Sequence, residues 1–404
     1  MESKNNSVVR ILDITIQNFK NVAYGHIAFA SSKTTRKQGV AKGRDILGIY
    51  GQNGSGKTAL IEALIVWRQI MKDQPVEEEL KELLQQDTAI SITFFIQKEG
   101  ERYLVSQQLL LGNENGTMQS ENQLAYRKWD GERWSRRRIL KLNGKELDKQ
   151  LFHMLQVYAA NGLWIATTKQ LGYLNLNMGV AIDFTYQEDG ILYEEQRISL
   201  FEKNYVTSQQ LAQMDRMKEQ MNLVLKAVLP DVCLGLHINE LSVPEGKPEM
   251  YEVTLLSKRY GKEFPLYNES GGIKRLISIL TILMAAYNSP SLMVVVDEID
   301  AGVFEYLLGE FLEIMKNGAK GQFLFTSHNL RALEVLGNNH IIFSTANPKN
   351  RYIRFTRLRK NHNLRDEYLR TVLLGGQNEL VYEDRGSCEL GYAFRKAGSI
   401  YGRS

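Results

Sequence analysis

Gly51-Gln52-Asn53-Gly54-Ser55-Gly56-Lys57-Thr58 follows the apolar run Ile46-Leu47-Gly48-Ile49-Tyr50 and precedes Ala59-Leu60-Ile61-Glu62-Ala63-Leu64-Ile65. Read as strand, glycine-rich turn and helix, this is the context in which a G-x-x-x-x-G-K-[ST] pattern forms a phosphate-binding loop. Each residue type has a physical reason. The glycines let backbone N–H groups converge on phosphate oxygens, and the helix N-terminus adds a favourable dipole. Lys57 supplies a mobile point charge for the outer phosphates, and the Thr58 hydroxyl can ligate Mg²⁺. A strand joined to a helix by a plain glycine turn would need neither of these last two. The stretch predicts binding of a nucleoside triphosphate.

A second constellation lies more than two hundred residues on. Leu292-Met293-Val294-Val295-Val296 is a continuous apolar run closed by Asp297 and Glu298. Such a run reads as a central parallel strand buried on both faces, with its C-terminal end where ligands collect in open α/β sheets. Asp297 is placed to hold Mg²⁺, directly or through water, and Glu298 to polarise an attacking water. Upstream, Ser270-Gly271-Gly272 opens an apolar helix over 276–286, offering a hydroxyl and backbone N–H groups as an anion site. Downstream, Gln322-Phe323-Leu324-Phe325-Thr326-Ser327-His328 is another buried strand that ends on a histidine.

The bulk composition fits a soluble globular protein of two or three domains: 404 residues, 43% hydrophobic, 24% charged, net charge +4. That charge is too small to imply nucleic acid by itself. The two cysteines, Cys233 and Cys388, are far apart and lack metal-ligand spacing, which points to a reducing cytoplasm. The first residues carry no apolar leader, and no uninterrupted apolar span reaches about 18 residues, so no membrane segment is expected.

Taken in order, 8–30 reads as two extended segments, with Leu12, Ile14 and Ile16 alternating against Asp13, Thr15 and Gln17. A polar, basic loop is expected over 31–44, a helix from Thr58 to Met71, and a second, acidic helix over 77–86. Short strands follow at 91–96, 103–111 and 124–129, with Asp130-Gly131 and Asn143-Gly144 as turn signals. Between these turns lies Arg133-Trp134-Ser135-Arg136-Arg137-Arg138. This basic patch could grip a phosphate backbone with Trp129 or Trp134 stacked on a base, or it could be a solvated sheet face or protein contact. Residues 150–177 read as mixed helix and loop, 192–229 as an amphipathic helical pair, and 232–238 and 250–256 as strands. No long heptad array supports extended coiled-coil arms.

These motifs together resemble the ABC-type ATPases of the RecF/SMC-like group, including the stand-alone AAA ATPases of bacterial anti-phage defence systems. Walker A at 51–58, signature at 269–272, Walker B at 292–298 and switch histidine His328 carry the resemblance, as does the opening ILDITIQNFKN. It covers roughly 8–98 and 260–345. It implies an α/β P-loop NTPase of ABC type, a head of two lobes with an inserted β-hairpin and helical region. The expected division is 1–98 for the N-terminal lobe, 99–259 for the insertion, 260–345 for the C-terminal lobe and 346–404 for a strand and tail. It also implies that two protomers sandwich ATP and Mg²⁺. Ser270 of one protomer would then face the γ-phosphate held by the other, with Glu298 as catalytic base. Glu269 and Ile273 depart from the leucine and glutamine usual beside the signature. The Q-loop is not placed by these motifs, and Gln97 is a candidate for its glutamine only because it ends a strand after the first lobe.

The segment 361–404 is too short for the Toprim nuclease of OLD-like proteins and lacks a D-x-D pair, so a separate nuclease or toxin is expected as effector. The leading functional expectation is a sensor or regulatory subunit of a defence complex. A DNA repair or remodelling ATPase is the alternative, with DNA as a candidate partner. The long insertion and atypical signature argue against a transporter subunit.

Overall fold

The computed structural model describes residues 7–41, 45–114, 117–141, 144–167, 171–176, 182, 184, 196–244, 246, 248–356, 363–382 and 387–401. The alternating N-terminal stretch forms β1 (Val8–Phe19) and β2 (Val22–Ala28), an antiparallel pair. The expected loop after it is instead α1 (Ser32–Gln38), stopped by Gly39 in the left-handed region at φ +61°. Then come β3 (Asp45–Tyr50) and α2 (Lys57–Met71), as the phosphate-loop pattern requires. The acidic helix shrinks to one turn, α3 (Glu78–Lys81). Leu84 already pairs with Phe19, so β4 (Leu84–Lys98) takes over residues that composition alone assigned to a helix.

β5 (Glu101–Glu114), β6 (Thr117–Lys128) and β7 (Arg138–Leu140) complete a six-stranded antiparallel sheet in the order β2-β1-β4-β5-β6-β7. These strands run longer than the apolar segments suggested, because backbone pairing continues where only one face is buried. After α4 (Glu146–Val157) the chain makes β8 (Leu163–Ala166), which pairs in parallel with a core strand. The region read as an insertion thus supplies a strand of the central sheet. The expected helical pair is two short strands and one helix. β9 (Tyr173–Asn175) and β10 (Arg197–Ser199) pair with each other, and β11 (Asn204–Thr207) leads into α5 (Ser208–Val228). Thr207 and Gln210 close that helix's start with a reciprocal capping box. β12 (Val232–Leu241), β13 (Met250–Arg259) and β14 (Lys262–Pro265) build a small antiparallel sheet with β11.

The second lobe runs α6 (Gly271–Asn288), β15 (Met293–Val296), α7 (Glu305–Gly318), β16 (Gln322–Thr326), α8 (Arg331–Val335), β17 (Ile341–Ser344) and β18 (Tyr352–Ile353). α9 (Leu364–Leu374) and α10 (Ser387–Tyr401) follow. The central sheet has the order β18-β17-β3-β16-β15-β8, parallel except for β18. Its alternating side chains feed two cores. Leu47, Ile49, Val295 and Leu324 pack with α2 and the antiparallel sheet. Ile46, Val294, Val296, Phe323 and Phe325 pack with α5, α6 and α7.

A buried polar knot ties the two large sheets together. Gln322 bonds both the N–H and the C=O of Ile11, at 2.8 and 2.7 Å, as a neighbouring strand would. Arg10 reaches Asp45 at 3.0 Å, and Asp45 also accepts from Ser31. Asp130 Oδ1 accepts from the N–H groups of Glu132 and Arg133, so the Asp130-Gly131 turn forms as expected. Of the second signal, Asn143 lies outside the described residues, as do Arg44 and 192–195 of the stretch read as helical.

Candidate functional site

The ends of β3, β15 and β16 meet around one cavity of about 300 Å³. Asn53, Gly54, Gly56, Lys57 and Thr58 line it from the loop, and Asp297, Glu298 and His328 from the strand ends opposite. Gly54 and Gly56 hold φ of +80° and +87°, the left-handed backbone that turns successive N–H groups inward. Gly51 is needed for space, since a Cβ there would lie 2.0 Å from Ser344 Oγ. Gln52 and Ser55 brace the loop from within: Ser55 donates to the Gln52 carbonyl at 2.7 Å and meets Ser344.

Lys57 Nζ rests on the carbonyls of Gly51 (2.9 Å) and Gln52 (3.0 Å). Burial lowers its pKa from the ordinary lysine value, while Asp297, Glu298 and Asp300 pull the other way. Across the cavity, Thr326 Oγ1 donates to Asp297 Oδ1 at 2.5 Å and accepts the Glu298 N–H at 2.8 Å. Glu298 sits at φ +50°, so the chain turns sharply after Asp297 and leaves its carboxylate exposed beside the loop. The His328 backbone N–H donates to Asp300 at 3.1 Å. Burial lowers the His328 pKa, helped by the Lys57 charge.

Thr58 and Asp297 present two hard oxygen donors to the same space. Among the described residues no group of three or more His, Cys, Asp or Glu is placed to hold a metal on its own. That donor set fits Mg²⁺, which takes one or two protein oxygens and completes its shell with phosphates and water. Ser270, Gly271 and Gly272 are not at this cavity. Ser270 caps α6, accepting from Ile273 N–H at 3.3 Å, and it is exposed. Gly272 packs instead near Gly302, in the turn after the acidic pair. Gln97 lies in β4, paired with Val8, and does not line the cavity.

Several neighbours escaped the sequence reading. Lys20 and Asn21, from the β1–β2 turn, line the cavity, and Asn21 Nδ2 bonds the Gly54 carbonyl at 2.6 Å. Tyr352 donates to the Gly56 carbonyl at 2.6 Å, and Arg351 holds the Asn21 carbonyl. Arg275 Nη2 reaches the Glu298 carbonyl at 2.7 Å. The turn residues Asn18-Phe19-Lys20-Asn21 were visible as a turn, but no spacing rule ties them to the loop.

The basic hairpin is remodelled as well. Trp129 and Trp134 meet edge to face with ring centres 4.9 Å apart, and Trp134 Nε1 donates to the Arg36 carbonyl at 2.7 Å. Gly39 is pressed against the Trp129 ring. Both rings are therefore committed to α1 and are not free to stack on a base. Arg133, Arg136, Arg137 and Arg138 remain exposed.

A parallel sheet with a glycine-rich loop before α2 and an acidic pair at the end of a neighbouring strand defines a P-loop NTPase. The profile of the family described as "AAA domain, putative AbiEii toxin, Type IV TA system" matches residues 46–334, and the chain belongs to that family. No curated protein matches the sequence. Similar solved structures include an Smc head bound to the C-terminal winged-helix domain of ScpA, at 14% identity and TM-score 0.48, covering 85% of this chain and 98% of that one. A second is the Pyrococcus furiosus Smc head with an extended coiled coil and the ScpA C-terminal domain, at 11% identity and TM-score 0.49, covering 86% and 96%. A third is the Thermotoga maritima SMC head, at 14% identity and TM-score 0.41, covering 86% and 100%. No helix among the described residues is long and apolar enough to cross a membrane.

Proposed function

We propose that this AAA-family protein binds and hydrolyses Mg·ATP between two copies of itself and acts as the sensor or regulatory subunit of a bacterial anti-phage defence complex. Residues 1–98 and 260–345, completed by β8 and β18, form its ATPase core, the rest of 99–259 elaborates that core, and the tail of 346–404 beyond β18 offers a docking surface for a separate nuclease or toxin. The observation that carries this reading is the separation of Ser270 from its own cavity, with its hydroxyl exposed at the start of an 18-residue helix. An exposed helix N-terminus of that kind is open to a phosphate carried by a second copy.

In each site the loop N–H groups and Lys57 would hold the phosphates, and Thr58 and Asp297 would hold the metal ion. Mg²⁺ supplies charge neutralisation on the phosphates when bound. Glu298 orients and deprotonates the attacking water. His328 stays neutral and hydrogen-bonds near the terminal phosphate. The family's description in terms of a toxin system supports the defence reading. The exposed arginines at 133–138 favour the second reading, a repair or remodelling ATPase that contacts DNA.

Glu298→Gln tests the core of the proposal. It keeps the fold and the Mg·ATP site but lacks the base, so turnover should fall by about 10²–10⁴ while ATP still binds. Light scattering of this variant should show a mass that rises with ATP, and adding Ser270→Arg should abolish the rise. A monomer in both states would remove the sandwich. Parental turnover in Lys57→Ala would remove the site itself.

A further inference from the structure

Glu269 stands directly before Ser270, where leucine is usual beside the signature, and it is only 9% exposed. A carboxylate in such a place costs free energy unless hydrogen bonds or a cation satisfy it. Among the described residues no lysine or arginine forms an ion pair with it. Its buried partner is a hydroxyl: Ser257 Oγ donates to Glu269 Oε1 at 2.7 Å. Ser257 is itself fully buried and firmly seated. It lies in β13, paired with Leu234 of β12 on one side and Phe264 of β14 on the other.

The consequence for Ser270 follows from backbone geometry. Glu269 has φ −69° and ψ 160°, and Ser270 has φ −58° and ψ 149°, so both are extended. Successive side chains on extended backbone point to opposite sides. With Glu269 drawn inward onto β13, the Ser270 side chain is turned outward, where it is exposed. An unanchored glutamate turns to water instead, and the same alternation would then carry Ser270 inward. The start of α6 is braced from the same region. Lys274 Nζ donates to the Tyr267 carbonyl at 2.9 Å and lies 4.8 Å from the centre of the Phe201 ring. Ser278 Oγ donates to the Tyr173 carbonyl at 3.1 Å. These braces all come from the stretch 173–267.

We propose that Ser257 and Glu269 are positioning residues that hold Ser270 in the orientation a second copy's phosphate requires, an inference that rests on the sandwich reading above. Neither residue lines the nucleotide cavity. The small sheet of β11–β14 thereby controls pairing: a shift of β13 against α6 withdraws the hydroxyl and leaves nucleotide binding within each chain intact.

Pairing is read by light scattering in the Glu298→Gln background, over a range of protein concentrations with Mg·ATP. Ser257→Ala leaves the Glu269 carboxylate buried without its donor, so the midpoint concentration for pairing should rise on the order of tenfold or more. Adding Glu269→Leu removes the other partner as well, and replacing both members of a buried polar pair by apolar groups is close to neutral. The double variant should therefore pair within about threefold of the background. A role confined to general stability would make the double variant at least as poor as the single one. Nucleotide affinity, compared with and without Ser257→Ala in Ser270→Arg chains that cannot pair, should differ by less than about twofold. Equal pairing by Ser257→Ala and its background, or no recovery in the double variant, overturns this inference alone. A background protein that binds ATP yet stays monomeric removes the sandwich itself, and this positioning role with it.

Discussion

Arg275 Nη2 donates a 2.7 Å hydrogen bond to the backbone carbonyl of Glu298. The helix that begins at Ser270 is thus fastened to the turn that carries the acidic pair. The residue it holds has φ +50°, a left-handed conformation that costs a residue with a side chain on the order of 1 kcal/mol. Arg275 also sits against Gly302 in the same turn.

Arg275→Ala should therefore let the turn relax and misdirect the Glu298 carboxylate. A hydrogen bond to a charged group is typically worth about 1.5–3 kcal/mol, so kcat for ATP should fall on the order of tenfold or more. Nucleotide affinity should stay within about twofold of the parent. Arg275→Lys should recover part of the loss. Steady-state turnover beside a binding isotherm separates the two effects, and an unchanged kcat would deny Arg275 this part.

His328 predicts the shape of the acid limb. Burial first, then the Lys57 charge, push its pKa below the ordinary imidazole value. The unfolded chain consequently takes up the proton first as the pH falls. The contribution of His328 to stability is full above about 6.5 and is lost as the pH drops through the folded value. In turnover the neutral form should persist through neutrality, so its limb in kcat/KM should lie below about pH 6.5. A pH–rate profile of the parent and of His328→Gln checks this; a limb above 6.5 that vanishes in the variant would contradict it.

Arg10 should matter for stability far more than for chemistry. Its pair with Asp45 is closed off, with side-chain exposures of 2% and 1%. Arg10→Ala leaves Asp45 buried without its cation, a change that typically costs about 3–5 kcal/mol. Replacing Lys20, whose pair with Glu62 is 39% and 19% exposed, should cost under about 1 kcal/mol. Urea unfolding of both variants should separate them widely, and similar midpoints would mean that the knot is dispensable.

The arginines at 136–138 test for nucleic acid. With Trp129 and Trp134 engaged on α1, only backbone-type binding is left, and it should weaken steeply with salt. Arg136→Glu, Arg137→Glu and Arg138→Glu together should remove both affinity and salt slope while leaving basal turnover intact. Anisotropy with labelled single- and double-stranded DNA at low and moderate salt provides the reading. No binding by the parent at low salt would leave the patch as a surface for a protein.

What could be read in the sequence was local chemistry with a fixed spacing. The loop 51–58 must sit between a strand and a helix, and the run 292–296 is too apolar for anything but a central strand. Both are found there, and their acidic, cationic and hydroxyl groups share one cavity. What could not be read depends on partners distant in the chain. β8 is four residues long and gains its place only by pairing with β15. Residues 84–86 look helical until Leu84 meets Phe19. Arg275, Asn21 and Tyr352 act through backbone carbonyls, which leave no mark in a pattern of side chains.

β3 carries the phosphate loop, yet its lateral neighbours β16 and β17 come far later, Gln322 lying 277 positions beyond Asp45. Tyr352 and Arg351, which hold Gly56 and Asn21, come later still. A growing polypeptide that has left the ribosome as far as Thr58 therefore displays the whole motif with nothing on either side of it. Domains assembled from such remote pairings fold slowly and late. ATP competence should therefore wait until Arg351 and Tyr352 have been made, and chains stopped before 351 should be silent with respect to nucleotide.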